Sequence, residues 1–297
     1  MICDEFAKDN PINTAILANA SGYADALAAS PLTKLYNAPV LLTEVDKLNP
    51  KTEAQLKKYN INKVVVVGGT AVVSKEIEIY LTSIGISVDR IGGYTMYDTA
   101  ILITDRLPTT DCSAVFLVAG DEYCDALTVS SAAASYALPI FLVPKGANLT
   151  YADVPGLKER IQRFQSLNPL LCVYSTNRGI SLNFTAGIKS SRIGADERFT
   201  KYGNNIAMNY TLNAYALKET VLFATGNGYV DALAGSALAG KLSAQIVFVG
   251  DDLSTTFKGD SRVIQQLTGI YKDMNKVIYL GGTVVVPDGA ERKVVTW

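Results

Sequence analysis

A short stretch of the chain, Gly22-Tyr23-Ala24-Asp25-Ala26-Leu27-Ala28, returns as Glu122-Tyr123-Cys124-Asp125-Ala126-Leu127 and as Gly228-Tyr229-Val230-Asp231-Ala232-Leu233-Ala234. The aspartates stand 100 and 106 residues apart. That period exceeds the ~20–50 residues of a solenoid unit and suits a small domain. Other landmarks move with it. Pro39, Pro139 and Gln245 open the apolar runs PVLLT, PIFLV and QIVFV, and Arg90-Ile91-Gly92-Gly93 returns as Arg192-Ile193-Gly194-Ala195. Gly68-Gly69-Thr70 aligns with a turn at Ser175 and with Gly281-Gly282-Thr283, given a seven-residue insertion before the third strand of the later copies. The chain is read as three repeats, at 1–90, 91–191 and 192–297.

Each repeat carries short, near-continuous apolar runs alternating with helical segments. In the first, strands are expected at 14–19, 39–43, 63–67 and about 88–91, with helices at 26–36, 51–59 and about 74–84. The second has strands at 114–118, 139–143 and 170–174, the third at 221–224, 245–249 and 277–280. This pattern predicts an α/β fold with parallel sheets covered on both faces. The small-residue helices that follow Asp25, Asp125 and Asp231 are candidates for the contact between units.

Composition narrows the function. The chain of 297 residues is 48% hydrophobic and 19% charged, with a formal net charge of −1. That balance argues against nucleic acid or an acidic lipid surface as partner. No apolar run is long enough to span a bilayer, so no membrane insertion is expected. The start, MICDEFAKDNP, has no basic-then-apolar leader, so the chain is read as cytosolic or as part of a secreted protein. There is no histidine, which removes the usual general base and the Ser–His–Asp triad. The four cysteines, at 3, 112, 124 and 172, have no metal-ligand spacing, so neither metal nor cofactor is expected.

The repeated aspartate has a structural reading and a functional one. Directly before a helix, it accepts hydrogen bonds from free N–H groups and favours the positive end of the dipole. The same turns lie where parallel α/β sheets bind ligands, at the carboxyl ends of strands. Candidate ligand contacts are therefore Asp25, Asp231, Thr43 and the turns Gly68, Gly69, Thr70 and Gly281, Gly282, Thr283. The glycine turns lack the full dinucleotide pattern, and tight turns needing positive φ are the commoner explanation for them.

The sequence of strand, GYADALA helix, APVLLT, KVVVVGGTAVVS and VDRIGG resembles the cell wall-binding repeat of type 2, over about Asn13–Val286. The resemblance implies three Rossmann-like or flavodoxin-like subdomains around a pseudo-threefold axis. It implies a non-catalytic module that anchors a Gram-positive surface-layer or cell wall protein to an anionic, teichoic-acid-like polysaccharide, with effector domains elsewhere in the full protein. Departures are visible: Thr95-Met96 replace the family's Asp-Arg pair, Glu197 stands beside Arg198, and the first repeat has only MICDEFAKDNP in place of that segment. Repeat 2 also lacks the Gly-Gly-Thr turn, which puts its site in question. The alternative is a soluble α/β enzyme or nucleotide-sugar-binding protein with its ligand at the strand ends.

An anionic polymer calls for cations, and Arg90, Arg192 and Arg198 recur at unit boundaries, where they either bind the polymer or hold units together. The 16 tyrosines offer stacking surfaces for sugars, although scattered tyrosines usually are just partly buried. Cys112 and Cys124 flank a strand and stand roughly 20 Å apart, beyond disulfide reach. Cys172 is expected to be buried in its strand and Cys3 to lie in a mobile terminus, leaving four free thiols.

Overall fold

The protein is described by a computed structural model over residues 2–9, 11–146, 148–194, 200–215, 219–249 and 276–281. Three parallel sheets succeed one another along the chain. The first unit contributes β1 (Thr14–Asn19), β2 (Val40–Thr43), β3 (Lys63–Val67) and β4 (Ser87–Ile91), in the order β2-β1-β3-β4. The second repeats that order with β5 (Ala114–Ala119), β6 (Ile140–Val143), β7 (Cys172–Thr176) and β8 (Ser190–Ile193). The third has β9 (Thr220–Thr225), β10 (Gln245–Val249) and β11 (Lys276–Leu280), ordered β10-β9-β11. All pairings are parallel, which requires each connection to cross a sheet face with a helix. In each unit the first strand lies between the second and third, so the chain reverses direction there and leaves a crevice at the carboxyl ends.

The register corrects one expectation. Ile16 pairs with Val65, and Phe116 with Tyr174, so the third strand of the second unit runs two residues later than its apolar pattern suggests. Leu170 and Leu171 are spent in the turn after the helix Leu157–Leu167, where the Leu171 N–H donates to Asn168 O at 2.9 Å. Asn177, not Ser175, therefore takes the place of Gly68: its N–H donates to Ile193 O at 3.1 Å as that of Gly68 does to Ile91 O at 2.9 Å.

Ten α-helices occur among the described residues. Those named below are α1 (Ile2–Phe6), α2 (Ala24–Ala28), α3 (Ser30–Tyr36), α4 (Pro50–Lys58), α5 (Lys75–Ser83), α6 (Met96–Thr104), α7 (Tyr123–Tyr136), α8 (Leu157–Leu167), α9 (Lys201–Thr211) and α10 (Val230–Lys241). The expected single helix 26–36 is broken at Ala29, ahead of Pro31, whose missing N–H ends the hydrogen-bond ladder. The α2–α3 pair, α7 and α10 pack on one another at the centre. Small side chains permit this. A Cβ on Gly240 would collide with Ala134, and Ala28, Ala133 and Ala239 are fully buried.

A second set of contacts closes these units into a ring. Helix α6 packs on α2 and β6, α9 packs on α7 and β10, and α1 packs on α10. Each preceding helix thus covers the central helix of the unit before it, and α1 joins the first unit to the third. Phe6 is buried, with Lys241 Nζ 4.6 Å above its ring and donating to its carbonyl. The opening segment MICDEFAKDNP, which lacks the repeat motif, still supplies the closing helix.

The cysteines follow from this packing, with two corrections. Cys3 lies buried on α1 instead of in a mobile end, and Cys172 is exposed because β7 begins there. Cys112 and Cys124 are buried, and burial pushes the thiols of Cys3, Cys112 and Cys124 up to about 11. All four are free. Thiolate is the reactive form, so an aromatic disulfide reagent at neutral pH should label Cys172 fast and the other three slowly, reaching four thiols after denaturation. Two or fewer thiols in the denatured protein would contradict this arrangement.

Candidate functional site

The carboxyl ends of the first sheet open on a cleft of about 1070 Å³ between the first and second units. Its walls are the turn after β1, the loop 69–72 after β3, and the loop 92–95 that leads into α6. Asn19, the last residue of β1, ties two of these together. Its Nδ2 donates to Val72 O at 2.5 Å, and its Oδ1 accepts the Ser21 N–H at 2.6 Å. Gly68 turns the chain at φ +102°, and a Cβ there would stand 2.6 Å from Asp25 Oδ2. Only glycine allows that crossing.

Arg90 is the clamp of this loop. Its guanidinium donates to Gly68 O at 2.7 Å and Val73 O at 2.7 Å, and it is paired with Glu78. Arg192 does the same work in the second unit, donating to Asn177 Oδ1 at 2.9 Å and Ile180 O at 2.6 Å. Both guanidiniums bind carbonyls of their own unit and so stabilise its turns. Replacing bidentate carbonyl contacts of this kind with a lysine point charge would not reproduce the geometry.

The aspartates lie within the first turn of their helices, but the capping expected of them is not formed. The N-cap residues are Tyr23, Glu122 and Tyr229, with no side-chain cap bond. The carboxylates instead turn toward neighbouring elements. Asp25 sits under Gly68, where desolvation raises its pKa and the Thr99 hydroxyl from α6 moderates the rise. Asp125 is buried and accepts from Asn204 Nδ2 of α9 at 2.6 Å. Its desolvation pushes the pKa up to about 7, opposed by the charge of Arg178. Asp231 is half-buried at the start of α10. Asp25 and Asp125 thus join their central helices to α6 and α9, the helices that follow their units.

The tyrosine two residues before each aspartate was the feature that sequence reasoning missed. Tyr23, Tyr123 and Tyr229 meet at the centre, with ring centroids 5.7, 5.3 and 5.9 Å apart. Their hydroxyls donate in a cycle: Tyr23 to Gly120 O at 2.9 Å, Tyr123 to Gly226 O at 2.8 Å, and Tyr229 to Ala20 O at 3.5 Å. Each acceptor is the first residue after its unit's first strand. The signal was present in the fixed Tyr-x-Asp spacing of all three copies. Tyr229 reaches far enough to close the inner end of the first cleft, so that cleft is built by all three units.

The remaining candidates separate by location. Gly69 and Thr70 line the cleft and Thr70 is exposed. Thr43 is buried and holds the loop after β2, donating to Lys47 O at 3.0 Å and accepting the Asn49 N–H at 3.1 Å. Gly281 turns at φ +105° after β11, as Gly68 does after β3. Arg198, Gly282 and Thr283 lie outside the described residues. Among the described residues no group of three or more acidic or cysteine side chains could hold a metal, and no helix is long and apolar enough to cross a membrane.

Three parallel α/β units closed about an axis, with a cleft at the strand ends, define a triplicated ligand-binding assembly. The chain belongs to the family Cell wall binding domain 2 (CWB2), which matches residues 2–78, 90–181 and 192–291, and it is a cell wall-binding module. The first match begins at residue 2 and so includes α1. The chain is 30% identical to N-acetylmuramoyl-L-alanine amidase LytC of Bacillus subtilis over 92% of its length and 51% of that protein. It is 33% identical to the amidase enhancer of the same organism over 82% of its length and 32% of that protein. The structures of Cwp6 and Cwp8 from Clostridium difficile share its fold, with TM-scores of 0.78 and 0.77 at 24% and 22% identity, over 99% of this chain and 45% and 49% of theirs. It therefore spans about half of these relatives' length, or less.

Asp125 gives the site a defined pH response. Its folded pKa of about 7 lies above the ordinary 3.8, so its contribution to stability is complete below pH ~4 and is lost as pH rises to ~7. In urea denaturation, Asp125→Asn should gain about 2–3 kcal/mol on the wild type between pH 5 and pH 8. Parallel pH profiles for the two proteins would contradict the burial of this carboxyl.

Proposed function

We propose that the chain, with repeats at 1–90, 91–191 and 192–297, is a non-catalytic anchor that holds a surface protein on an anionic, teichoic-acid-like wall polysaccharide of a Gram-positive bacterium. Effector domains in the full-length protein supply adhesion or enzyme activity. Family membership and the amidase and amidase enhancer among its relatives support this reading. The observation that carries it is the cleft at the strand ends, bounded by turns that bear the hydroxyls of Ser21 and Thr70.

The cationic part of binding is reassigned within this proposal. Arg90 and Arg192 are occupied by loop carbonyls. At the second junction, Arg178 takes the position of Gly69 and Lys201 begins α9 where Met96 begins α6. These two, with Arg198, are the cations proposed to meet the polymer, so repeat 2 gains charge where it loses the Gly-Gly-Thr turn.

Retention on purified walls tests the reading. Walls carrying their polymer should retain the chain, and walls stripped by acid should not. Added salt should weaken retention, and Arg178→Glu with Lys201→Glu should weaken it further at low salt. Equal binding to stripped walls would return the soluble-enzyme alternative, and indifference to salt and to both reversals would remove the electrostatic part.

A further inference from the structure

We propose that Tyr94 is the sugar-stacking residue of the first cleft, taking the apolar face of a saccharide ring of the wall polymer. This rests on the wall-binding reading and adds to it the contact that sets ligand class at this junction. Tyr94 lines the cleft yet is fully exposed, at 106% of its reference surface. No other large apolar or aromatic side chain among the described residues is as exposed. A ring in open water gives the fold nothing, and single exposed aromatics are common, so exposure alone is not the argument.

What distinguishes Tyr94 is how its backbone is held. On one side, the Gly93 N–H donates to Thr99 Oγ1 at 3.1 Å. On the other, Thr95 is the N-cap of α6, its N–H donating to Asp98 Oδ2 at 3.0 Å while its Oγ1 accepts the Asp98 N–H at 3.1 Å. The backbone is therefore pinned on both sides of a side chain that touches little. This is the arrangement that lowers the entropy cost of presenting an aromatic to a ligand. A tyrosine ring supplies a large rigid contact face with two torsions to immobilise and a polar tip that stays hydrated.

The cleft suits the same ligand. Its volume is at the upper end of the ~300–1,000 Å³ of small-molecule sites, and its walls alternate apolar Met96 and Leu102 with the exposed hydroxyls of Ser21 and Thr70. Among the charges lining it, Asp98 is engaged by its capping box and Arg90 by carbonyls, and the other two, Asp25 and Asp121, are acidic, which suits a neutral ring better than a phosphate. The second junction offers instead the basic pair Arg178 and Lys201, while the loop that would align with Tyr94 lies outside the described residues. The two junctions therefore read different features of one polymer: a ring face at the first and an anionic group at the second.

The test is retention of wild type, Tyr94→Ala, Tyr94→Phe and Tyr94→Trp on purified walls, with melting temperature as the folding control. Tyr94→Ala should lose about tenfold in affinity at unchanged melting temperature, consistent with a stacking contact of ~1.4 kcal/mol. Tyr94→Phe and Tyr94→Trp should stay within about twofold of wild type. Binding of Tyr94→Ala equal to wild type overturns the proposal, as does a loss in Tyr94→Phe as large as in Tyr94→Ala, which would assign the contact to the hydroxyl. Failure of the wild type itself to bind unstripped walls overturns the wall-binding reading and this inference together.

Discussion

The structure depends on three tyrosines that hydrogen-bond around a closed cycle. Each hydroxyl donates to the carbonyl just after the first strand of the next unit, so each unit is completed by its neighbour. Each of these half-buried hydroxyls finds its partner in a neighbouring unit, a hydrogen bond worth ~0.5–1.5 kcal/mol. The rings add edge contacts of ~0.5–1.5 kcal/mol per pair. Below them, alanine- and glycine-rich helices approach closely enough that Gly240 has no room for a Cβ beside Ala134. Around them, α6, α9 and α1 cover the joints. Asp25 and Asp125 of the repeated motif serve the same end by facing the following helix instead of capping their own.

Much of this was written in the sequence, because apolar runs five residues long and small-residue helices have few places to go except a covered parallel sheet and a tight helix contact. The strand positions of the first unit and the central role of the small-residue helices were both readable on that basis. What hydrophobicity does not encode is direction. Leu170 and Leu171 look like strand residues, but a turn after α8 claims them, and the third strand of the second unit starts at Cys172. For the same reason the burial of Cys172 was misread. The segment around Cys3 carries no motif, yet its buried Phe6 and Cys3 seat a five-residue helix on α10.

The candidate site was legible as a place and not as a set of contacts. Parallel strand ends mark where a ligand goes, and Gly69, Thr70 and Asp25 do line that cleft. The arginines were read from charge and position, whereas their partners are backbone carbonyls that no residue pattern specifies. The asparagines of α9 are a further case. Asn205 Nδ2 donates to Thr128 Oγ1 at 2.8 Å and Asn209 Nδ2 to Ile246 O at 2.9 Å, joining the second and third units by buried polar contacts where α6 offers Ala100 and Thr104. One ring is thus sealed by two kinds of chemistry.

The central claim is that the ring stands or falls as one body, and hydrogen exchange of the intact chain in rising urea tests it most directly. The amides of β1, β5 and β9 should be exposed in a single transition. Phe6→Ala, a substitution costing about 3 kcal/mol or more in a packed site, should lower the protection of all three strands alike. If that variant loosened only α1 and α10 while β5 kept its full protection, the units would be independent neighbours and the account of mutual completion would be wrong.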